Sequence, residues 1–203
     1  SDQAVDLKGM PNLTVTSGET MRIGFLILDA RGTSTENSPM KNLKVRQAIN
    51  HAINRNALAT QLVGGEAKPL QVACYPGQFG CDTTAATVYN YDPAKAKALL
   101  AEAGLANGFE TTLSFDLGGA TVGEPMAVLV QEALGAIGIK TQINKIPGAT
   151  WRAALLKKDM PMVINRFGGW LDFPEYFFFW CYHGQNAVFN TMSYQNAKLD
   201  KII

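Results

Sequence analysis

The chain has 203 residues, of which 47% are hydrophobic and 17% charged, so it can bury a core as one folded α/β domain. Its formal net charge is +1 and its Lys and Arg residues are scattered, which argues against a nucleic-acid or anionic-membrane partner. No apolar run reaches the roughly 20 residues that cross a bilayer, and the polar residues 1–6 carry no signal peptide.

The first third of the chain predicts two strands and a helix. Residues 13–16 and 21–28 are the predicted strands, and the second is apolar throughout, as expected for a strand buried on both faces. A polar loop follows. Apolar residues then recur at the spacing of a core-facing helix, at Val45, Ala48, Ile49, Ala52 and Ile53. His51 lies in the polar part of this helix and is expected to face solvent.

A second short helix is predicted directly afterwards. Asn56 is expected to cap it, and Gly64-Gly65 to end it. Residues 66–92 then form a long loop, and a loop of that length in a compact domain is usually functional or covers something.

The loop contains two of the three cysteines. Cys74 and Cys81 flank the turn-rich stretch Tyr-Pro-Gly-Gln-Phe-Gly, which is short enough to bring them within disulfide distance, as suits an oxidising compartment. Cys181 lies among aromatic residues and is expected to be a buried free thiol. The alternative is a zinc site that adds Cys181 and His183 to the first pair, although these spacings match no common zinc motif.

The rest of the chain alternates strands with helices. Asp92 and Pro93 are a typical helix start, and that helix runs to Gly104. Strands are predicted at 110–115, 139–146 and 162–167, and helices at 121–137 and 150–157. The alternation predicts an α/β fold with a largely parallel or mixed sheet and flanking helices.

A Gly-rich turn at 117–124 follows one strand and opens a helix. Its backbone N–H groups could present a helix N-terminus to an anion, although it does not match a nucleotide-binding fingerprint. Thr121 and Glu124 also form the T-x-x-E pattern of an ordinary capping box, which is the favoured interpretation.

The segment from Gly168 to Tyr176 is the sharpest candidate for a binding site, because it lies where a strand ends and a helix begins. Asp172 is placed either to cap that helix or to bind a cation such as a peptide ammonium, and Trp170 supplies a flat apolar wall. The aromatic run 176–182 is expected to be mostly core, with some residues lining a cleft.

No catalytic pattern accompanies these features. The sequence contains no G-x-S-x-G, no H-E-x-x-H and no phosphate-binding loop, so neither an enzyme nor a cofactor is predicted. Residues 196–203 resemble the first turns of an amphipathic helix, and the chain is interpreted as an excised piece of a longer protein.

Three stretches resemble the family 5 extracellular solute-binding proteins, which serve bacterial ABC importers of peptides, nickel and related cargo. V-R-Q-A-I-N-H-A-I-N-R at 45–55 and Y-D-P-A-K-A-K-A-L-L-A-E-A-G-L at 91–105 are similar to two family motifs. The third is the strand from Ile139 with Trp151, Leu155 and Asp159 after it.

The resemblance implies that residues 1–203 are one ligand-binding lobe of a two-lobed (type II-like) periplasmic binding protein, truncated at both ends. The second lobe would come from chain outside 1–203, and cargo would be enclosed by hinge closure. The implied partners are a small solute, most simply a peptide, and the permease of an ABC importer. The implied location is the periplasm, or a lipid anchor outside a Gram-positive cell.

The cargo-anchoring motif of peptide-binding members resembles G-W-x-A-D-Y-x-D-P. Asp172 falls on its first Asp, Phe173 replaces its Tyr and Glu175 matches its second acid, whereas Gly169 stands where the Trp is expected. Dipeptide-binding members also carry a basic residue near the Gly-rich turn. Residues 117–130 contain no Lys or Arg, which argues against a dipeptide cargo.

The residues expected to bind the solute follow from this segment and from the long loop. Asp172 is the cation anchor, Trp170 and Phe173 are cleft walls, and Gly168 and Gly169 allow close backbone approach. Arg166 faces the cleft or pairs with a neighbouring acid.

The stretch from Tyr75 to Phe79 is expected to close over the cargo. An oligosaccharide or a nickel chelate is the alternative cargo, and a zinc-stabilised module or a hydrolase is the alternative of a different class. A chemoreceptor partner would use the same lobe.

Overall fold

The computed structural model describes residues 6–16, 18–62, 67–168 and 171–203. Its four strands are β1 (Arg22–Leu28), β2 (Phe109–Asp116), β3 (Ile139–Ile146) and β4 (Met162–Gly168), and they form one mixed sheet in the order β1-β4-β2-β3. β2 runs parallel to both β3 and β4, whereas β1 runs antiparallel to β4. The predicted α/β fold with a mixed sheet is therefore confirmed.

Six helices have both ends within the described ranges, together with short 3-10 turns, and residues 6–8 are also helical. They are α1 (Leu43–Ala52), α2 (Arg55–Gln61), α3 (Pro93–Glu102), α4 (Ala120–Gly135), α5 (Gly148–Lys157) and α6 (Pro174–Tyr182). In the parts of the chain that are described, no helix is both long and apolar enough to pass through a bilayer.

Alternate residues of β4 contact different helices, which shows that both faces of the sheet are covered. Met162 and Ile164 belong to a large core with residues of α1, α3 and α4. Val163 packs with Leu155 of α5, and Phe167 packs with Phe177 of α6. Because side chains alternate across a strand, Arg166 lies on the face of α4, and Asn165 lies on the face of α5 and α6.

The predicted apolar stripe of α1 is confirmed. Val45, Ala48, Ile49 and Ala52 are each at most 2% exposed, and they pack in the same core as Leu100 of α3. His51 is 6% exposed, so its predicted solvent-facing position is wrong: its Nδ1 lies 2.7 Å from the Asn90 carbonyl oxygen and ties α1 to the end of the long loop.

The predicted cap of α3 is confirmed, whereas the predicted cap of α2 is wrong. Asp92 caps α3 by accepting a hydrogen bond from the Lys95 N–H, with Pro93 in the first turn. The predicted cap Asn56 is wrong, because Asn54 accepts from the Ala57 N–H and Asn56 lies inside α2. The expected end of this helix at Gly64-Gly65 lies outside the described residues.

The predicted caps of α4 and α6 are also wrong. Gly119 precedes α4 and makes no side-chain cap, Thr121 lies inside the helix, and Glu124 pairs with Lys145, so the predicted capping box is absent. The residue before α6 is Phe173, again without a side-chain cap, so Asp172 does not cap that helix. Pro174 at the first position of α6 favours helix start by fixing φ.

Two terminal predictions also differ from the structure. Residues 13–16 have no regular structure, and Leu13 is 51% exposed, so the predicted strand there is wrong. A strand needs a neighbour to accept its hydrogen bonds, and β1 pairs with β4 instead. Residues 197–202 form turns, in which the Asn196 side chain accepts from the Lys198 and Leu199 N–H groups.

Candidate functional site

A crevice of about 280 Å³ lies where β2 and β4 end and α4 begins. Asp116 and Arg166 contribute from the strand ends, Gly119 from the turn before α4, and Trp151 from α5. Parallel strands deliver their carboxyl ends to one edge of a sheet, and α/β proteins bind ligands at that edge. The crevice therefore occupies the position at which this fold type places its ligands.

Arg166 supplies a positive charge to the Gly-rich turn. A β-carbon on Gly119 would lie 2.1 Å from the Arg166 Nη2, so the guanidinium rests directly against the backbone of that turn. The sequence of the turn contains no cation, but the fold brings one from β4. The missing Lys or Arg in residues 117–130 therefore does not leave this turn without a neighbouring cation.

The alternative expectation for Arg166 was an ion pair with a neighbouring acid. Among the described residues, the ion pairs within 4.0 Å all involve other cations. Asp116 also lines the crevice, and its carboxylate accepts a hydrogen bond from the Gly118 N–H at 2.8 Å. Arg22 is a second cation in the lining, which gives the crevice more positive than negative side chains.

Asn165 adds an unused donor to the same crevice. Its side-chain oxygen accepts from the Arg166 N–H at 2.8 Å, whereas its amide nitrogen is buried and has no partner among the described residues. A buried donor without a partner is costly.

Gly168 closes β4 in a conformation that only glycine adopts readily. Its φ is +110°, and a β-carbon there would lie 2.5 Å from the Met21 carbonyl oxygen. The close backbone approach is thus between β4 and the start of β1, where Gly168 pairs with Arg22. Gly169 and Trp170, which were expected to contribute approach and a flat wall, lie outside the described residues.

Asp172 and Phe173 are both exposed in the stretch between β4 and α6. The Asp172 carboxylate makes no hydrogen bond or ion pair with any described residue, which leaves it available to a cation. Phe173 is 51% exposed and contacts Phe79 edge to face, with ring centroids 6.1 Å apart. The fold therefore brings the long loop to the predicted binding segment.

The loop that carries Phe79 is closed by a disulfide between Cys74 and Cys81, whose Cα atoms are 5.8 Å apart. Gln78, inside this loop, is 9% exposed and donates from Nε2 to the Leu171 carbonyl oxygen at 3.2 Å. Sequence reasoning did not single out Gln78, because a lone glutamine in a loop has no distinctive pattern. The flanking cysteines were the only available signal.

The Tyr75 side chain contacts the segment before β1 and not the binding segment. Its hydroxyl donates to the Glu19 carboxylate, which also accepts from Lys68. The hydrogen bonds from Lys68 and then Tyr75 lower the pKa of Glu19. This exposed group ties the loop to the segment before β1, while Phe79 and Gln78 make the contacts with the candidate site.

Two of the four ligands of the alternative zinc site are not available to bind a metal. A disulfide leaves neither Cys74 nor Cys81 as a thiolate. Burial raises the pKa of Cys181 to about 12, so this thiol is protonated, as expected for a buried free cysteine. Over the described ranges, no three His, Cys, Asp or Glu side chains gather to hold a metal ion.

Comparison with known proteins shows which family this chain matches. Residues 1–189 match the family described as bacterial extracellular solute-binding proteins, family 5 Middle. The glutathione-binding protein GsiB of Escherichia coli K12 is 31% identical over 173 residues, which cover 81% of this chain and 33% of that protein.

Two solved structures are similar over nearly the whole chain. The periplasmic binding protein DppA of Helicobacter pylori, in complex with peptide STSA, has a TM-score of 0.85 and 25% identity, over 99% of this chain and 38% of that one. NikA of Staphylococcus aureus, in complex with Ni(L-His)2, has a TM-score of 0.81 and 19% identity, over 99% and 42% respectively. The chain thus spans about a third of the length of its curated relative.

Proposed function

The chain belongs to the bacterial extracellular solute-binding proteins of family 5, and we propose that it is the ligand-binding lobe of a receptor that delivers a peptide-like solute to an ABC importer. In this proposal residues 1–203 form one lobe, and the rest of a longer protein supplies the other. The receptor works in the periplasm, or anchored outside a Gram-positive cell. It binds and releases its solute without chemical change.

The observation that carries the proposal is the pair of opposite charges on either side of the end of β4. Arg166 lies against the Gly-rich turn before α4, and the exposed carboxylate of Asp172 follows six residues later. A zwitterionic peptide presents an ammonium group and a carboxylate at opposite ends. We assign the ammonium group to Asp172 and the carboxylate to Arg166.

Neighbouring groups fit the apolar parts of such a solute. Phe173 and Phe79 present exposed rings beside Asp172, and Trp151 lines the crevice near Arg166. In the proposal Trp170 is a further wall, Gly169 leaves room for the solute backbone, and Tyr75 helps to hold the loop that carries Phe79. The cleft closes when the second lobe covers these groups.

The test is a calorimetric titration of the full-length protein with glutathione, peptide STSA and Ni(L-His)2. We expect a peptide to bind. Asp172→Ala should then weaken its binding about 10- to 150-fold, because an ammonium group loses a charge-assisted hydrogen bond of about 1.5–3 kcal/mol. Asp159→Ala, which removes an exposed carboxylate just before the other end of β4, is the matched control.

Modified peptides test the ammonium and carboxylate assignments separately. N-acetylation should weaken binding to the wild-type protein and have little further effect on Asp172→Ala, since both changes remove the same contact. C-terminal amidation should behave in the same way with Arg166→Gln. Binding of Ni(L-His)2 alone would keep the family and contradict the peptide cargo.

A further inference from the structure

Residues 171–173, which include Asp172 and precede α6, have no regular structure to hold them. Leu171, Asp172 and Phe173 belong to neither β4 nor α6, and all three are exposed. An anchoring carboxylate must be held in a defined place to favour one binding geometry. Contacts from another part of the chain have to supply that order.

Gln78 makes such a contact. Its Nε2 donates to the Leu171 carbonyl oxygen at 3.2 Å, across 93 residues of sequence, and its Oε1 accepts from the Tyr75 N–H at 3.4 Å. Both ends of this amide are therefore used. The side chain is 9% exposed, whereas Pro76 and Phe79 in the same loop are exposed, and such burial is typical of a polar group that is hydrogen-bonded.

The loop around Gln78 is itself well fixed. The Gln78 N–H donates to the Tyr75 carbonyl at 2.8 Å, the Cys81 N–H donates to the Gln78 carbonyl at 3.1 Å, and the disulfide joins the two ends of the loop. Phe79 adds the ring contact with Phe173 on the far side of Asp172. The residues before and after Asp172 are thus each held by neighbouring residues of one closed loop.

We infer that Gln78 is a positioning residue for solute binding: through the Leu171 carbonyl it fixes the backbone from which Asp172 reaches the solute. This inference rests on the proposed function for its effect on affinity. It concerns a residue that does not itself touch the solute.

The primary test uses the full-length protein with Gln78→Met, which keeps the length of the side chain and removes both hydrogen bonds. Gln78→Glu is the second variant, because it keeps the acceptor for the Tyr75 N–H and loses only the donor to Leu171. Gln71→Met, an exposed glutamine before the same loop, is the matched control. Melting temperature and circular dichroism establish that each variant is folded.

Peptide affinity is measured for these variants in the wild-type background and in the Asp172→Ala background. For whichever of glutathione or peptide STSA binds the wild-type protein more tightly, both Gln78 variants should weaken binding about 3- to 10-fold, as expected for loss of one hydrogen bond, and Gln71→Met should not. The loss should largely disappear in the Asp172→Ala background, since a residue that acts through Asp172 cannot matter once the carboxylate is gone. A general loss of structure would instead add to the effect of Asp172→Ala.

Hydrogen exchange provides the readout that needs no solute. The Tyr176 N–H, which donates to the Phe173 carbonyl oxygen at 3.1 Å, should exchange faster in both Gln78 variants than in the wild-type and Gln71→Met proteins. Unchanged exchange there, or additive effects on affinity, would overturn the positioning role. Faster exchange in a protein that binds neither peptide would retain the positioning of the segment and reject the proposed cargo, so the two failures are distinguishable.

Discussion

Gly119 sets how closely the Arg166 guanidinium approaches the backbone of the Gly-rich turn. A β-carbon there would lie 2.1 Å from Nη2, at the end of a flexible side chain that can swing aside. Gly119→Ala should therefore displace Arg166 at little cost in stability. We expect about tenfold weaker peptide binding in calorimetry, with an unchanged denaturation midpoint.

The control for this change is Gly18→Ala, since a β-carbon on Gly18 meets no atom within 4 Å. A large fall in stability for Gly119→Ala would show that the turn, and not the position of Arg166, is what the glycine protects. Unchanged affinity would contradict the role of Arg166.

Asp29 is a structural carboxylate just after β1. It is 3% exposed, and its two oxygens accept hydrogen bonds from the N–H groups of Gly32, Thr33 and Ser34. Burial raises the pKa of Asp29, but the hydrogen bonds from Ser34 and Thr33 outweigh it, so the pKa is lowered overall. The charged form therefore stabilises the folded state.

The pH dependence follows from that direction. A lowered pKa means that the stabilisation is present above the unfolded pKa, near 4, and is lost as pH falls through the folded value. Asp29→Asn should lower the free energy of unfolding at pH 7 by about 1–3 kcal/mol. The difference from wild type should shrink at pH 3 in urea denaturation, and a difference that grows at pH 3 would contradict the assignment.

The disulfide loop is the element that connects the long loop to the binding segment. Closing a loop of about eight residues contributes roughly 2.5 kcal/mol by restricting the unfolded chain. Reduction, or the Cys74→Ser/Cys81→Ser double variant, should lower the free energy of unfolding by about that amount. The Tyr176 N–H, which donates to the Phe173 carbonyl oxygen, should also exchange faster, since Gln78 loses its fixed loop. An unchanged denaturation midpoint would count against a structural role for the disulfide.

Helices and strands with a strong local sequence pattern could be predicted from sequence. Features that depend on residues distant in the chain could not. The stripe of α1 and the Asp92-Pro93 start of α3 are local signals, and β3 at 139–146 was placed at its observed bounds. The capping box at Thr121 failed because the helix starts earlier, at Ala120.

The same distinction applies to the candidate site. The segment around Asp172 could be located from its place after a strand and before a helix. The approach of Arg166 to Gly119 could not, because it depends on the pairing of β2 with β4. Gln78 was missed for the same reason, since its partner Leu171 is 93 residues away.

For the whole molecule, the chain corresponds to only part of the length of its relatives. It spans 33% of the length of GsiB of Escherichia coli K12 and 38% of DppA of Helicobacter pylori. Exposed Phe79 contacts exposed Phe173, Leu171 is exposed as well, and apolar patches on a folded surface mark binding sites. In the proposed receptor, solute and second lobe would cover these residues together.

Native mass spectrometry of the full-length protein, purified without refolding or reduction, tests the central claim most directly. The account predicts a co-purified mass that matches a peptide of two or more residues and that is lost from Asp172→Ala. A bound mass that matches a sugar or a metal chelate, retained by Asp172→Ala, would contradict it.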